Sequence, residues 1–230
     1  MIRAMPIAIL AAFLVLIAPG CQTVERAQST LRLTELSGQA RQAQIDGDFE
    51  RARDLWLQYV QRRPHSHSAE YNLGLVETEL GLYDDAVSHL SIAHDLRPGN
   101  DDYIAALAQA YLRVGETDRM MTLLRRAEHE RNDLDDILRT AEFARRAGLM
   151  DDAQEALRRA VALGGMDSPR PHLAVADFAH AIGNKDLEIA ALRRALWFGP
   201  DSRAYHARLT ALGVTPGPSL AMHPQRGYDF

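Results

Sequence analysis

Five glycines set the frame of this chain. Gly47, Gly81, Gly115, Gly148 and Gly183 follow one another at intervals of 34, 34, 33 and 35 residues, and each separates two amphipathic stretches. A period in this range belongs to chains that stack one helical unit on the next, because a single unit cannot bury its own apolar face. The stretch from Tyr71 to Asn100, YNLGLVETELGLYDDAVSHLSIAHDLRPGN, shows the unit most clearly. Leu73-Gly74 lies on one predicted helix, Gly81 breaks it, Ala86 and Leu90 lie on a second, and Pro98 stops that one. The unit is a helical hairpin.

The other copies keep the phase and lose some of the residues. The first has Ala40, Gly47, Ala52, Trp56 and Pro64; the third has Leu107, Ala108, Tyr111, Gly115, Leu124 and Ala127, with Met120 where a small alanine is expected. The fourth has Ala141, Ala144, Gly148, Ala153, Leu157 and Ala160, with Gly164-Gly165 as its stop; the fifth has Ala176, Ala179, Gly183, Leu192, Ala195 and Pro200, with Glu188 in the alanine place. Small residues are needed where two helices cross closely, since a larger side chain would push the backbones apart. Glu70 and Glu77 stand at places usually apolar or aromatic, either loosening the packing or facing a ligand. This pattern resembles the tetratricopeptide repeat, in which a Leu-Gly, an aromatic, an alanine and a proline recur over two antiparallel helices. The resemblance implies an all-α fold: a right-handed α-solenoid of about five helix-turn-helix repeats over residues 33–213, with a capping helix from Asp201 to Leu212. Residues 214–230, rich in proline and glycine, are read as an extended C-terminal tail. Loose disorder is the plainer expectation for that tail; docking of Tyr228 and Phe230 on the protein's own surface or on a partner is the alternative.

Ahead of the repeats, residues 1–20 carry Arg3 and then a nearly unbroken apolar run from Ala4 to Ala18. That run is shorter than the roughly 20 residues that span a bilayer and suits an export signal. The only cysteine, Cys21, follows directly, so no internal disulfide can form within one chain. The stretch IAPGC resembles the lipobox of bacterial lipoproteins. That resemblance implies acylation of Cys21, and Gln22 after it implies an outer-membrane lipoprotein facing the periplasm. Residues 21–32 then form the lipidated cysteine and a polar spacer. An ordinary cleavage site or an uncleaved anchor is the alternative reading.

A net charge of −5 argues against a nucleic-acid partner, which needs a basic surface to displace counterions. Acidic pairs at Asp84-Asp85, Asp101-Asp102, Asp135-Asp136 and Asp151-Asp152 fall at predicted helix starts, where capping explains them better than acid–base or metal chemistry. Arginine pairs at Arg125-Arg126, Arg158-Arg159 and Arg193-Arg194 are placed near the ends of second helices, as helix-end charges or as a basic ridge for an acidic partner or lipid headgroups. His65 and His67 lack a third nearby ligand, so no metal site is expected. The sequence holds none of the metalloprotease, nucleophile-elbow or phosphate-loop motifs. The expected protein is not an enzyme and needs no cofactor.

The site expected instead is a groove. In the resembling family the first helices of the hairpins line a concave face that holds a peptide or a partner helix. Repeat phase places Tyr71, Leu75 and Glu79 there from the second copy, Gln109 and Arg113 from the third, Leu138, Glu142, Arg145 and Arg146 from the fourth, and Asp177 and His180 from the fifth. An exported, lipidated array of this length is similar to the pilotin-like lipoproteins of type IV and tight-adherence (Flp) pilus systems. The resemblance implies a non-enzymatic envelope scaffold whose partner is a secretin or a pilus assembly component. A periplasmic regulator of a cell-wall synthase or hydrolase is the alternative.

Overall fold

The computed structural model describes residues 20–230 apart from 201, 216, 218, 219 and 226, with side chains from residue 30 onward. Residues 1–19, and with them the expected export signal, lie outside the described residues, as does the side chain of Cys21. Among the described residues the chain forms eleven helices and no strand. They are α1 (Gly20–Ile45), α2 (Phe49–Arg62), α3 (His67–Glu79), α4 (Tyr83–Leu96), α5 (Asp101–Val114), α6 (Thr117–Arg131), α7 (Leu134–Arg146), α8 (Met150–Gly164), α9 (Arg170–Ala181), α10 (Lys185–Phe198) and α11 (Arg203–Ala211). Helices pair as α1/α2 through α9/α10, five hairpins stacked in order, and α11 packs on α10 at the end. Residues 21–32, read as a spacer, are continuous with α1.

The turn inside every hairpin is the same object. Each of the five spaced glycines has φ between 73° and 80°, the left-handed region that a Cβ disfavours. The N–H of the next residue then bonds back to the carbonyl four residues before the glycine: Asp48 to Ala43, Leu82 to Glu77, Glu116 to Tyr111, Leu149 to Ala144 and Asn184 to Ala179, all at 2.8–2.9 Å. This is the Schellman stop, which satisfies carbonyls the helix end leaves open. Gly213 repeats it after α11, with φ 89° and Val214 N–H on Leu209 O at 3.0 Å. The capping helix is therefore the first half of a sixth hairpin, and the tail stands where its second helix would begin.

Packing follows the small residues. A Cβ on Gly74 would meet Leu90 Cγ at 2.5 Å, so only glycine lets α3 and α4 cross at this distance. Ala52, Ala86, Ala153, Ala176 and Ala191 are fully buried. Met120, in the third copy's alanine place, is fully buried too, and α5 and α6 approach less closely than α3 and α4. The apolar core forms two clusters. One holds Ala40, Trp56, Leu73 and Val76 of the first three helices; the other runs from Ala86 to Leu220. Between them lie Glu70 and Glu77 on α3. Glu70 accepts from His89 Nδ1 at 2.8 Å, and Glu77, with no exposed surface, accepts from Arg53 Nε at 3.2 Å. The two acids stitch α2, α3 and α4 together instead of facing a ligand.

The structure corrects three expectations. The residues that cap helix starts are Asp48, Asn100, Asp133 and Asn184, each accepting an N–H three residues on. The acidic pairs do lie in the first turns, one to three positions beyond the cap, where several of them bind arginines of neighbouring elements. Asp85 meets Arg53, Asp101 meets Arg131 and Arg139, Asp135 meets Arg170, and Asp152 meets Arg125. The arginine pairs lie in the middle of α6, α8 and α10 rather than near their ends; Arg159 holds Glu128, which leaves no continuous free basic ridge. Finally, the tail packs on its own chain. Leu220 is buried, Met222 N–H bonds Arg193 O at 2.9 Å, and Phe230 meets Phe178 edge-on at 6.1 Å.

Candidate functional site

The first helices of the third, fourth and fifth hairpins, α5, α7 and α9, touch their neighbours side by side and present one face. Between α7 and α9 that face sinks into a cavity of 360 Å³ lined by Leu138, Ala141, Glu142, Arg145, Leu173 and Asp177, among others. A second depression of 460 Å³ shares Glu142, Arg145 and Asp177 and adds His180 and Arg208. The floor is apolar, from Leu138, Leu173 and Ala174; the rim is charged. Such a surface suits a peptide or helix that buries an apolar side chain and is oriented by its polar ones.

The rim charges are held in place by one another. Arg145 donates to both carboxylate oxygens of Glu142, Nε at 2.9 Å and Nη2 at 2.8 Å. This pairing raises the guanidinium's pKa further above its ordinary value. Arg208 reaches in from α11 to Asp177 Oδ1 at 2.6 Å, Glu188 Oε1 at 2.6 Å and the Ala176 carbonyl at 2.9 Å. Glu188, the fifth copy's departure from alanine, is buried and also accepts from His180 Nδ1 at 3.1 Å. Fixed side chains of both signs give a ligand a preformed pattern and lose little entropy on binding.

Five of the expected groove residues, Leu138, Glu142, Arg145, Asp177 and His180, converge at these two depressions. The other six do not. Arg146 donates to Gln109 across α5 and α7, and Arg113 stacks 4.7 Å over the Tyr83 ring at the start of α4. Tyr71 lies 4.6 Å from the Tyr103 ring, with Tyr103 Oη 2.7 Å from His67 Nδ1. Burial raises the phenol pKa of both tyrosines. Leu75 and Glu79 lie on α3, apart from both depressions. Sequence reasoning missed Leu173, Arg170 and Arg208. Leu173 was within reach, since it stands ten residues before Gly183 as Leu138 stands before Gly148. Arg208 carried no such mark, because α11 belongs to no complete repeat. Among the described residues no three His, Cys, Asp or Glu side chains are placed to hold a metal ion.

Comparison with known proteins places this geometry. Residues 38–101 match the family model of the tetratricopeptide repeat, and the chain has the fold of tetratricopeptide solenoids. A tetratricopeptide repeat protein of Parabacteroides merdae superposes with a TM-score of 0.59 at 16% identity, over 84% of this chain and 83% of that one. A thermophilic tetratricopeptide protein of Thermus thermophilus superposes at 0.51 with 20% identity, over 78% and 98%. YrrB, described as a tetratricopeptide protein with an unusual peptide-binding site, superposes at 0.51 with 16% identity, over 82% and 96%. No curated protein matches the sequence.

Proposed function

We propose that this protein is a non-enzymatic scaffold of the bacterial cell envelope that holds a protein partner on its concave face, at the α7–α9 groove. The observation that supports this reading is the groove itself: an apolar floor and a rim of fixed charges between the neighbouring first helices α7 and α9. In this reading Cys21 is acylated and anchors the chain at the outer membrane. The anchor joins the solenoid through helix, because α1 begins at Gly20. At 1.5 Å per residue, residues 21–32 span roughly 18 Å, enough to hold the repeats clear of the lipid headgroups. The partner is a secretin or pilus assembly component, taken up as a helix or an extended segment.

Two measurements test it. Replacing Arg145 and Arg146 together by glutamate reverses charge beside the groove while leaving the core intact, so capture of the partner from detergent-solubilised envelopes falls about tenfold or more with helicity unchanged. Undiminished capture removes these arginines from the site, and recovery of a cell-wall enzyme without any pilus or secretin component contradicts the pathway. Cys21→Ser abolishes acyl labelling and releases the protein from membranes; unchanged retention points instead to an uncleaved N-terminal anchor.

A further inference from the structure

The tail closes a cleft on the other side of the solenoid, between the second helices α8 and α10. Phe230 lies under the guanidinium of Arg158 on α8 at 5.2 Å, and Tyr228 lies under that of Arg194 on α10 at 4.0 Å. Arg194 also donates to the Gly227 carbonyl at 2.7 Å and to Gln225 Oε1 at 3.0 Å, while Arg193 Nε donates to the Leu220 carbonyl at 2.8 Å. At the bottom, His172 Nε2 faces the Gly165 carbonyl at 2.6 Å. A carbonyl only accepts, so that nitrogen carries the proton, and Nδ1 receives the Tyr228 hydroxyl at 2.6 Å. The cleft thus reads two rings, one phenol hydroxyl and an extended backbone.

The fifth copy carries aromatic or imidazole side chains at two places that face the tail. Eleven residues before the turn glycine the copies carry Leu36, Glu70, Ile104, Ile137 and His172; fourteen after it they carry Gln61, Asp95, His129, Ala162 and Trp197. His172 is fully buried and bonds the tail's tyrosine, and Trp197 lies 4.8 Å from the His223 ring. The tail leaves one donor unused. Arg194, 8% exposed, has no hydrogen-bond partner for its Nε.

We propose that the α8–α10 cleft is a second peptide-binding site, that the tail is its internal ligand, and that its external ligand is an extended peptide carrying Tyr-X-Phe, which displaces the tail. An acceptor on such a peptide that meets Arg194 Nε gains a charge-assisted bond the tail does not make. Binding in trans has to overcome a tail held at an effective concentration on the order of millimolar, so the intact chain responds weakly and a chain with a disabled tail responds strongly. The site opens away from the first-helix groove, with buried Phe178 lining that groove and meeting Phe230, and its failure leaves that reading untouched.

The probe is a fluorescent peptide with the sequence of residues 220–230, followed by anisotropy. Tyr228→Ala with Phe230→Ala in the full chain vacates the cleft, and Trp197 emission reports the release. The expected result is binding at least about tenfold tighter to this variant than to the unaltered chain. Binding is lost when Tyr and Phe of the peptide become Ala, and weakened by Arg194→Ala in the receptor. A folded, vacated chain that does not bind the peptide overturns the proposal, as does equal binding of the peptide without its rings. If the double variant unfolds, a chain with a protease site between Thr215 and Gly217 is cut after folding and challenged with excess peptide. Exchange of the severed segment supports the site; failure to exchange, or loss of fold that the peptide does not restore, makes the tail a structural part only.

Discussion

Glu188 shows how a single residue couples two elements. A carboxylate in a place built for alanine is tolerated because Arg208 and His180 meet both of its oxygens. Removing one member of a buried pair leaves the other uncompensated, which costs more than removing both. Arg208→Ala is therefore expected to destabilise the fifth hairpin by about 2–3 kcal/mol, toward the low end because Arg208 is partly solvated. Adding Glu188→Ala is expected to recover most of that loss, and chemical denaturation of the two single variants and the double variant measures the coupling. Additivity of the two single effects would show that the pair does not act as a unit.

At the scale of elements, the second and fifth hairpins respond oppositely to acid. His89, on α4 and facing α3, has its pKa raised above the ordinary 6.5 chiefly by its hydrogen bond to Glu70. Its stabilisation is complete below that ordinary value and is lost as pH rises through the raised one. His172 has its pKa lowered by burial, with Arg194 on α10 as the facing cation. The other faces of its ring are taken by the Gly165 carbonyl, the Phe198 ring and Tyr228, whose phenol burial pushes up to about 12. Its contribution is complete above the ordinary value and is lost as pH falls below it toward the lowered one. Acidification from pH 7 to 5 is thus expected to loosen the tail while the α3/α4 hairpin holds. Hydrogen exchange at residues 220–230 against residues 83–96 follows both. Faster exchange of α4 without change in the tail contradicts the assignment. The hairpins themselves were legible because the glycine turn and the small crossing residues are local requirements repeated in phase. The tail was not, because its partners Arg158, His172 and Arg194 are far away in sequence and no period points to them. The acidic pairs misled for the same reason: first-turn position is local, but their arginine partners lie on neighbouring elements, mostly one repeat away.

The whole molecule is a stack in which each hairpin is buried by its neighbours, so its broad surfaces are two faces of a ribbon. The tail occupies the cleft at one end of the second-helix face. The first-helix face stays open at α7 and α9, and repeat phase located five of its residues while leaving the six on α3, α5 and Arg146 outside the depressions. The difference is physical: phase fixes which way a side chain points, whereas depth depends on how far neighbouring helices splay. The central claim, that a protein partner is held at the α7–α9 groove, is tested most directly by a photoreactive residue in place of Leu173, activated in intact cells. The account predicts a specific crosslink from Leu173 to one envelope protein, lost when Arg145 and Arg146 are made glutamate. Crosslinking that is absent, or equally strong from a probe at Ser91 on α4, would contradict it.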